Sequence, residues 1–92
     1  MRFNFAHIRH PSTNGTPIDF AVFDAKSNSG VDSDNAEILF DLTMRARGLG
    51  LKIDQSALAY AENGRMRYYG DTSLVDFLSK RGVPRWTHFI DV

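Results

Sequence analysis

One dipeptide constrains this chain more than any other: Asn63-Gly64, set in the run AYAENGRMRYYG at residues 59–70. A two-residue connection of this kind needs positive φ at both central positions, which Asn and Gly supply, and its twist suits two antiparallel strands. The loop length fixes the register. Glu62 faces Arg65, Ala61 faces Met66, Tyr60 faces Arg67, Ala59 faces Tyr68 and Leu58 faces Tyr69. Alternation then sorts the hairpin into two faces. Ala59, Ala61, Met66 and Tyr68 form a small apolar one. Leu58, Tyr60, Glu62, Arg65, Arg67 and Tyr69 form the other, with an opposite-charge pair and a cation–π pair across the strands.

The remaining elements follow from periodicity and punctuation. Arg2 to Ile8 alternates loosely and carries Phe3, Phe5 and Ile8, which predicts a first strand. RHPSTNGTP predicts a loop over residues 9–17 with Asn14-Gly15 at its tip. IDFAVFDA predicts a second strand, central because both faces are apolar: Ile18, Phe20 and Val22 on one, Asp19, Ala21 and Phe23 on the other. The polar run KSNSGVDSDN leads into a helix. Asp34 followed by Glu37 gives a capping-box pattern, and Ile38, Leu39, Leu42, Ala46 and Leu49 recur at helical spacing. Gly48 or Gly50 stops that helix, and Arg45 and Arg47 suit the negative end of its dipole.

DTSLVDFLSKRGVP predicts a second, shorter helix. Ser73 and Asp76 make its cap, Leu74, Phe77 and Leu78 its buried stripe, and Gly82 before Pro84 its stop. RWTHFIDV predicts a last strand with Trp86, His88 and Ile90 on one face. The order ββαββαβ predicts a single α+β domain over residues 1–92, an antiparallel sheet of about five strands with two helices on one face. Without its first strand that order is the ferredoxin-like split βαβ arrangement.

Composition narrows the chemistry. The 92 residues include no Cys, which excludes disulfides, thiolate metal sites and cysteine nucleophiles. Formal charge is zero but unevenly spread: three basic side chains meet six acidic ones in residues 1–41, and eight meet five in residues 42–92. A dedicated duplex binder is basic overall, because phosphate neutralisation supplies its non-specific affinity. The opening MRFNFAHIRHP has no long apolar run, so neither a signal peptide nor a membrane span is expected, and a cytoplasmic location is.

No catalytic constellation emerges, and the chain reads as a non-enzyme. His7 and His10 fall on different faces and make poor joint metal ligands. The glycines match neither a phosphate loop nor a dinucleotide fingerprint, so no cofactor and no small-molecule substrate is expected. The βαββαβ order is also that of the RNA-recognition module, whose central strands stack bases on aromatics. GRMRYYG has the basic and aromatic residues of such a strand without the module's glycine–aromatic spacing. A small single-stranded RNA-binding module is the alternative reading.

Taken over its full length, this small single-domain chain without a catalytic signature, beginning MRFNFAHIRHPSTNGTPIDF, resembles the phage-encoded anti-CRISPR proteins of the type I-F inhibitor group. The resemblance implies an inhibitor, acting in the cytoplasm of the infected bacterial host, that binds the RNA-guided surveillance (Cascade-like) complex and stops target DNA from hybridising or being cleaved. The implied partners are the proteins of that complex, with its guide RNA as a further contact. Members of this group share no motif, so no residue role carries over. Some imitate DNA with dense acidic faces; this chain, with zero formal charge, departs from that pattern.

Residue chemistry supplies two candidate contact surfaces. The loop NSGVDSDN offers Asp32 and Asp34 with Asn28 and Asn35 as acceptors for a basic, DNA-gripping surface, joined by Asn14 at the neighbouring tip. The hairpin offers Tyr60, Arg65, Arg67 and Tyr69 to an acidic or phosphate surface.

Overall fold

A computed structural model describes residues 2–11, 15–25 and 35–92. Seven elements follow in order: β1 (Arg2–His10), β2 (Ile18–Asp24), α1 (Asn35–Gly48), β3 (Gln55–Glu62), β4 (Arg65–Gly70), α2 (Thr72–Arg81) and β5 (His88–Asp91). The expected α+β domain and ββαββαβ order are both present, around one five-stranded sheet ordered β4-β3-β2-β1-β5. As its two apolar faces require, β2 is central.

Two details of the expected architecture differ. The sheet is mixed: β2 and β3 run parallel, Val22 beside Ala57 and Phe23 beside Leu58, while the other three pairings are antiparallel. The connection from Asp24 to Gln55, which includes α1, has the length that a parallel neighbour requires to return the chain to the same end of the sheet. Nothing separates β2 from β3, so the β2–α1–β3 unit is not the split arrangement of ferredoxin-like folds.

The helices also take opposite faces. Leu42 and Ala46 of α1 pack with Phe5, Ala21, Phe23, Leu58 and Ile90. Leu74 and Leu78 of α2 pack with Phe20, Val22, Ala57 and Ala59. Alternate residues of β2 therefore feed two different cores. The cause lies in β2 itself, since a strand apolar on both sides leaves one side wet unless each has its own cover. Burying each large side chain contributes roughly 1.5–3 kcal/mol, so a one-sided arrangement would forfeit a whole core.

Local boundaries shift for identifiable reasons. β1 runs past Ile8 because Arg9 and His10 still pair with Asp19 and Ile18. The hairpin register is the expected one, closed by Asn63 at φ 52° and Gly64 at φ 75°. In α1, Leu42, Thr43 and Ala46 are buried, whereas Leu49 lies beyond the helix and is 61% exposed. Asp71, not Ser73, precedes the first turn of α2, and Gly82 ends it by donating its amide to the Leu78 carbonyl at 2.7 Å. Trp86 packs on the α2 side and Ile90 on the α1 side, so the face expected to hold both is split. Strand geometry begins only at His88.

Candidate functional site

On the α1 side of the sheet, the helix covers Leu58 and half-buries Tyr60, and leaves the outer part of the hairpin open. Arg65 and Arg67 are exposed there, with Tyr69 beside them. Arg67 Nη2 lies 4.0 Å from Glu62 Oε1, a diagonal pair in place of the expected Glu62–Arg65 pair. At that length and exposure it holds the guanidinium only weakly. Tyr60 and Arg67 do not form the expected cation–π contact; among the described residues Arg2 stacks over Phe89 and Arg81 over Phe77.

Between α1 and β4 runs a cleft of about 450 Å³. Phe40 on the helix and Tyr69 on the strand both border it, and Phe40 is 69% exposed. On the strand wall Gly70 lies close against β3: a Cβ there would lie 2.3 Å from the Ser56 carbonyl oxygen. The lining is polar where Thr43, Ser56 and Asp71 meet. The Thr43 hydroxyl donates to the Leu39 carbonyl at 2.7 Å and lies 2.9 Å from Ser56 Oγ, and the Ser56 amide donates to Asp71 Oδ2 at 3.0 Å. Arg47, also on the wall, donates from Nε and Nη2 to the Ile53 carbonyl at 3.2 and 2.8 Å. These groups satisfy one another, so the aromatics at the border are what the cleft offers to a partner.

A second polar assembly holds the other end of this sheet face together. The buried Asp19 carboxylate accepts from Arg9 Nε at 3.0 Å and lies 3.5 Å from His7 Nε2 and 3.6 Å from Lys52 Nζ; the hydrogen bond of His7 Nε2 is with the Lys52 carbonyl, at 3.0 Å. Asp54 completes the lock: its carboxylate accepts the Asp19 amide at 2.9 Å, and its own amide donates to the Asp19 carbonyl at 2.8 Å. Burial works against ionisation of Asp19, but the Arg9 hydrogen bond, with the charges of Arg9, Lys52 and His7, outweighs it and holds the carboxyl below its ordinary value of 3.8. On the hairpin, burial pushes the Tyr68 phenol above its ordinary 10.

The structure thus brings Tyr60, Arg65, Arg67 and Tyr69 onto one face, with Tyr60 as part of the core margin rather than a free contact. Asn14, Asn28, Asp32 and Asp34 lie outside the described residues. Phe40 escaped sequence reasoning. Its signal was available, because Phe40 and Met44 sit four apart on the side of α1 away from Leu42 and Ala46, and both are exposed. His7 and His10 take different faces, His7 beside Asp19 and His10 stacked on Phe20. Among the described residues no three His, Asp or Glu side chains are placed to hold a metal, and no helix is long and apolar enough to cross a membrane.

No protein-family model, no curated protein and no solved structure matches the chain.

Proposed function

We propose that this chain is an inhibitor that works by occupancy: it binds the RNA-guided type I-F surveillance complex and keeps target DNA from hybridising. One observation carries the choice of surface. Arg65, Arg67 and Tyr69 lie on the flank that α1 leaves open, and Phe40 faces the same cleft as Tyr69. Exposed Arg and aromatic side chains anchor interfaces because they bring large contact area and directional donors at modest entropic cost. The acidic and phosphate surfaces of a protein–RNA assembly match the arginines.

The alternative, a single-stranded RNA-binding module, needs aromatics exposed on central strands for base stacking. In this sheet α1 and α2 cover both faces, and Phe5, Phe20 and Phe23 of β1 and β2 are buried. That favours the protein-binding reading.

The test is target-DNA hybridisation by a reconstituted type I-F complex with the protein added in excess. Wild type is expected to block it, and Arg65→Ala with Arg67→Ala to restore it. Undiminished hybridisation with wild type removes the reading. A mobility shift with generic single-stranded RNA that weakens steeply with salt would instead support the RNA module.

A further inference from the structure

The outer edge of β4 ends the sheet, and none of the described residues pairs with it. Its hydrogen-bonding pattern follows from the turn. In a hairpin closed by two residues, Glu62 and Arg65 exchange both backbone bonds, and such exchange alternates along the ladder. Arg67 with Tyr60 and Tyr69 with Leu58 are then the bonded pairs. Met66 and Tyr68 point their N–H and C=O groups away from β3, to the side on which no described strand lies.

The side chains bordering this edge differ on its two sides. Arg65, Arg67 and Tyr69 lie on the α1 side; Met66, half exposed, and Tyr68 lie on the α2 side. Arg65 has no charged partner among the described residues, and Arg67 has only the long contact to Glu62. A second copy adding antiparallel through the same edge in a register centred on Met66 or Arg67 would bring arginine opposite arginine, and like charges directly across a ladder are destabilising. The edge therefore disfavours its own copy and favours an acidic strand.

We infer that β4 accepts an extended segment of a partner protein as a sixth strand. That segment carries acidic side chains at alternate positions, facing Arg65 and Arg67, and apolar ones between them, facing Met66 and Tyr68. Main-chain bonds to Met66 and Tyr68 hold it, and the side chains set its sequence. This rests on the reading above that the flank holding Arg65, Arg67 and Tyr69 is the contact surface; it does not depend on which assembly supplies the segment.

The probe is a seven-residue peptide alternating glutamate and valine, titrated against the intact protein while amide exchange is followed by NMR. Slowed exchange at Met66 and Tyr68, and loss of binding when lysine replaces glutamate in the peptide, are expected. Met66→Pro removes an outward N–H without touching the inner ladder, a site at which an edge strand tolerates proline. Its melting temperature should stay near wild type while affinity falls roughly tenfold. Methylating the peptide's inward backbone nitrogens makes the same cut without altering the protein. The charge reversal Arg65→Glu with Arg67→Glu should switch preference to the lysine peptide. Peptide binding that survives both backbone blocks but not the reversal overturns strand addition and leaves the contact surface standing. Failure of the peptide to bind, or binding indifferent to every change, overturns the proposal; restored DNA hybridisation with the alanine pair separately tests the surface.

Discussion

Asp71 and Ser56 hold each other by two hydrogen bonds: the Ser56 amide donates to Asp71 Oδ2 at 3.0 Å, and the Asp71 amide donates to the Ser56 carbonyl at 3.1 Å. Asp71 stands at the N-cap of α2, yet its side chain makes no cap hydrogen bond there. It ties the start of the helix to β3 instead. Asp71→Ala leaves the amide of buried Ser56 without its acceptor and should cost about 1–3 kcal/mol. Urea unfolding measures this, and a change within a few tenths of a kcal/mol would refute the tie.

Gly70 sets the distance across the same junction. With φ at 152° and the Ser56 carbonyl 2.3 Å from any added Cβ, Gly70→Ala must push backbone against backbone. Loss of several degrees in melting temperature is expected. Gly48→Ala is the control, since a Cβ there meets nothing within 4 Å and Ala gains about 0.5–1 kcal/mol over Gly in helical conformation.

Two positions of α1 separate core from surface. Leu42 is 2% exposed, and Leu42→Asp should abolish cooperative folding. Spacing places Arg47 off the buried stripe and so predicts a silent charge reversal, but the structure gives it the Ile53 carbonyl. Arg47→Asp should therefore cost about 1.5–3 kcal/mol and still fold. Comparing the two denaturation curves checks both statements.

Acid should act through Asp19. Its carboxyl titrates below 3.8 in the folded chain, so its contribution to stability is complete above that ordinary value and declines as pH falls through the lower folded value. Asp19→Asn should lower stability at neutral pH, where Arg9 and Lys52 lose their counter-charge. It should also flatten the acid limb of the stability–pH profile. An unchanged acid limb in that variant would place the acid sensitivity elsewhere.

The hairpin arginines should separate binding from folding. Arg65 and Arg67 are exposed, and the Glu62–Arg67 contact is 4.0 Å long. The double alanine variant should keep its melting temperature within a few degrees of wild type, because exposed pairs contribute only about 0.2–1 kcal/mol. Loss of partner binding at constant stability is the expected pattern.

Legibility followed the range of the interactions. Asn63-Gly64 determines its hairpin within a dozen residues, so register and faces could be read directly. The stripe of α2, Leu74, Phe77 and Leu78, is equally local. Placing α1 and α2 on opposite faces was implied by the double apolarity of Phe20, Ala21, Val22 and Phe23, but strand order and parallel pairing depend on contacts spanning the whole chain. The Asp19 lock joins β1, β2 and the segment before β3, so no window of sequence contains it. One hint was present: an aspartate inside a central apolar strand requires partners. The cleft beside Phe40 depends on how far α1 stands from β4, which spacing does not encode.

The position of β1 between β2 and β5 has a bearing on how the molecule is made. β1 pairs on one side with the next strand and on the other with the last, joining Arg2 to Asp91 across 89 positions of sequence. During synthesis the first side can zip as soon as residue 24 has emerged, whereas the second must wait for residues 88–91. Until then a nascent chain carries Phe3 and Phe5 on a half-made ladder, open to other chains in the same condition. Residues 88–91 close that flank when they dock, so the finished ladder hides what the partial one shows.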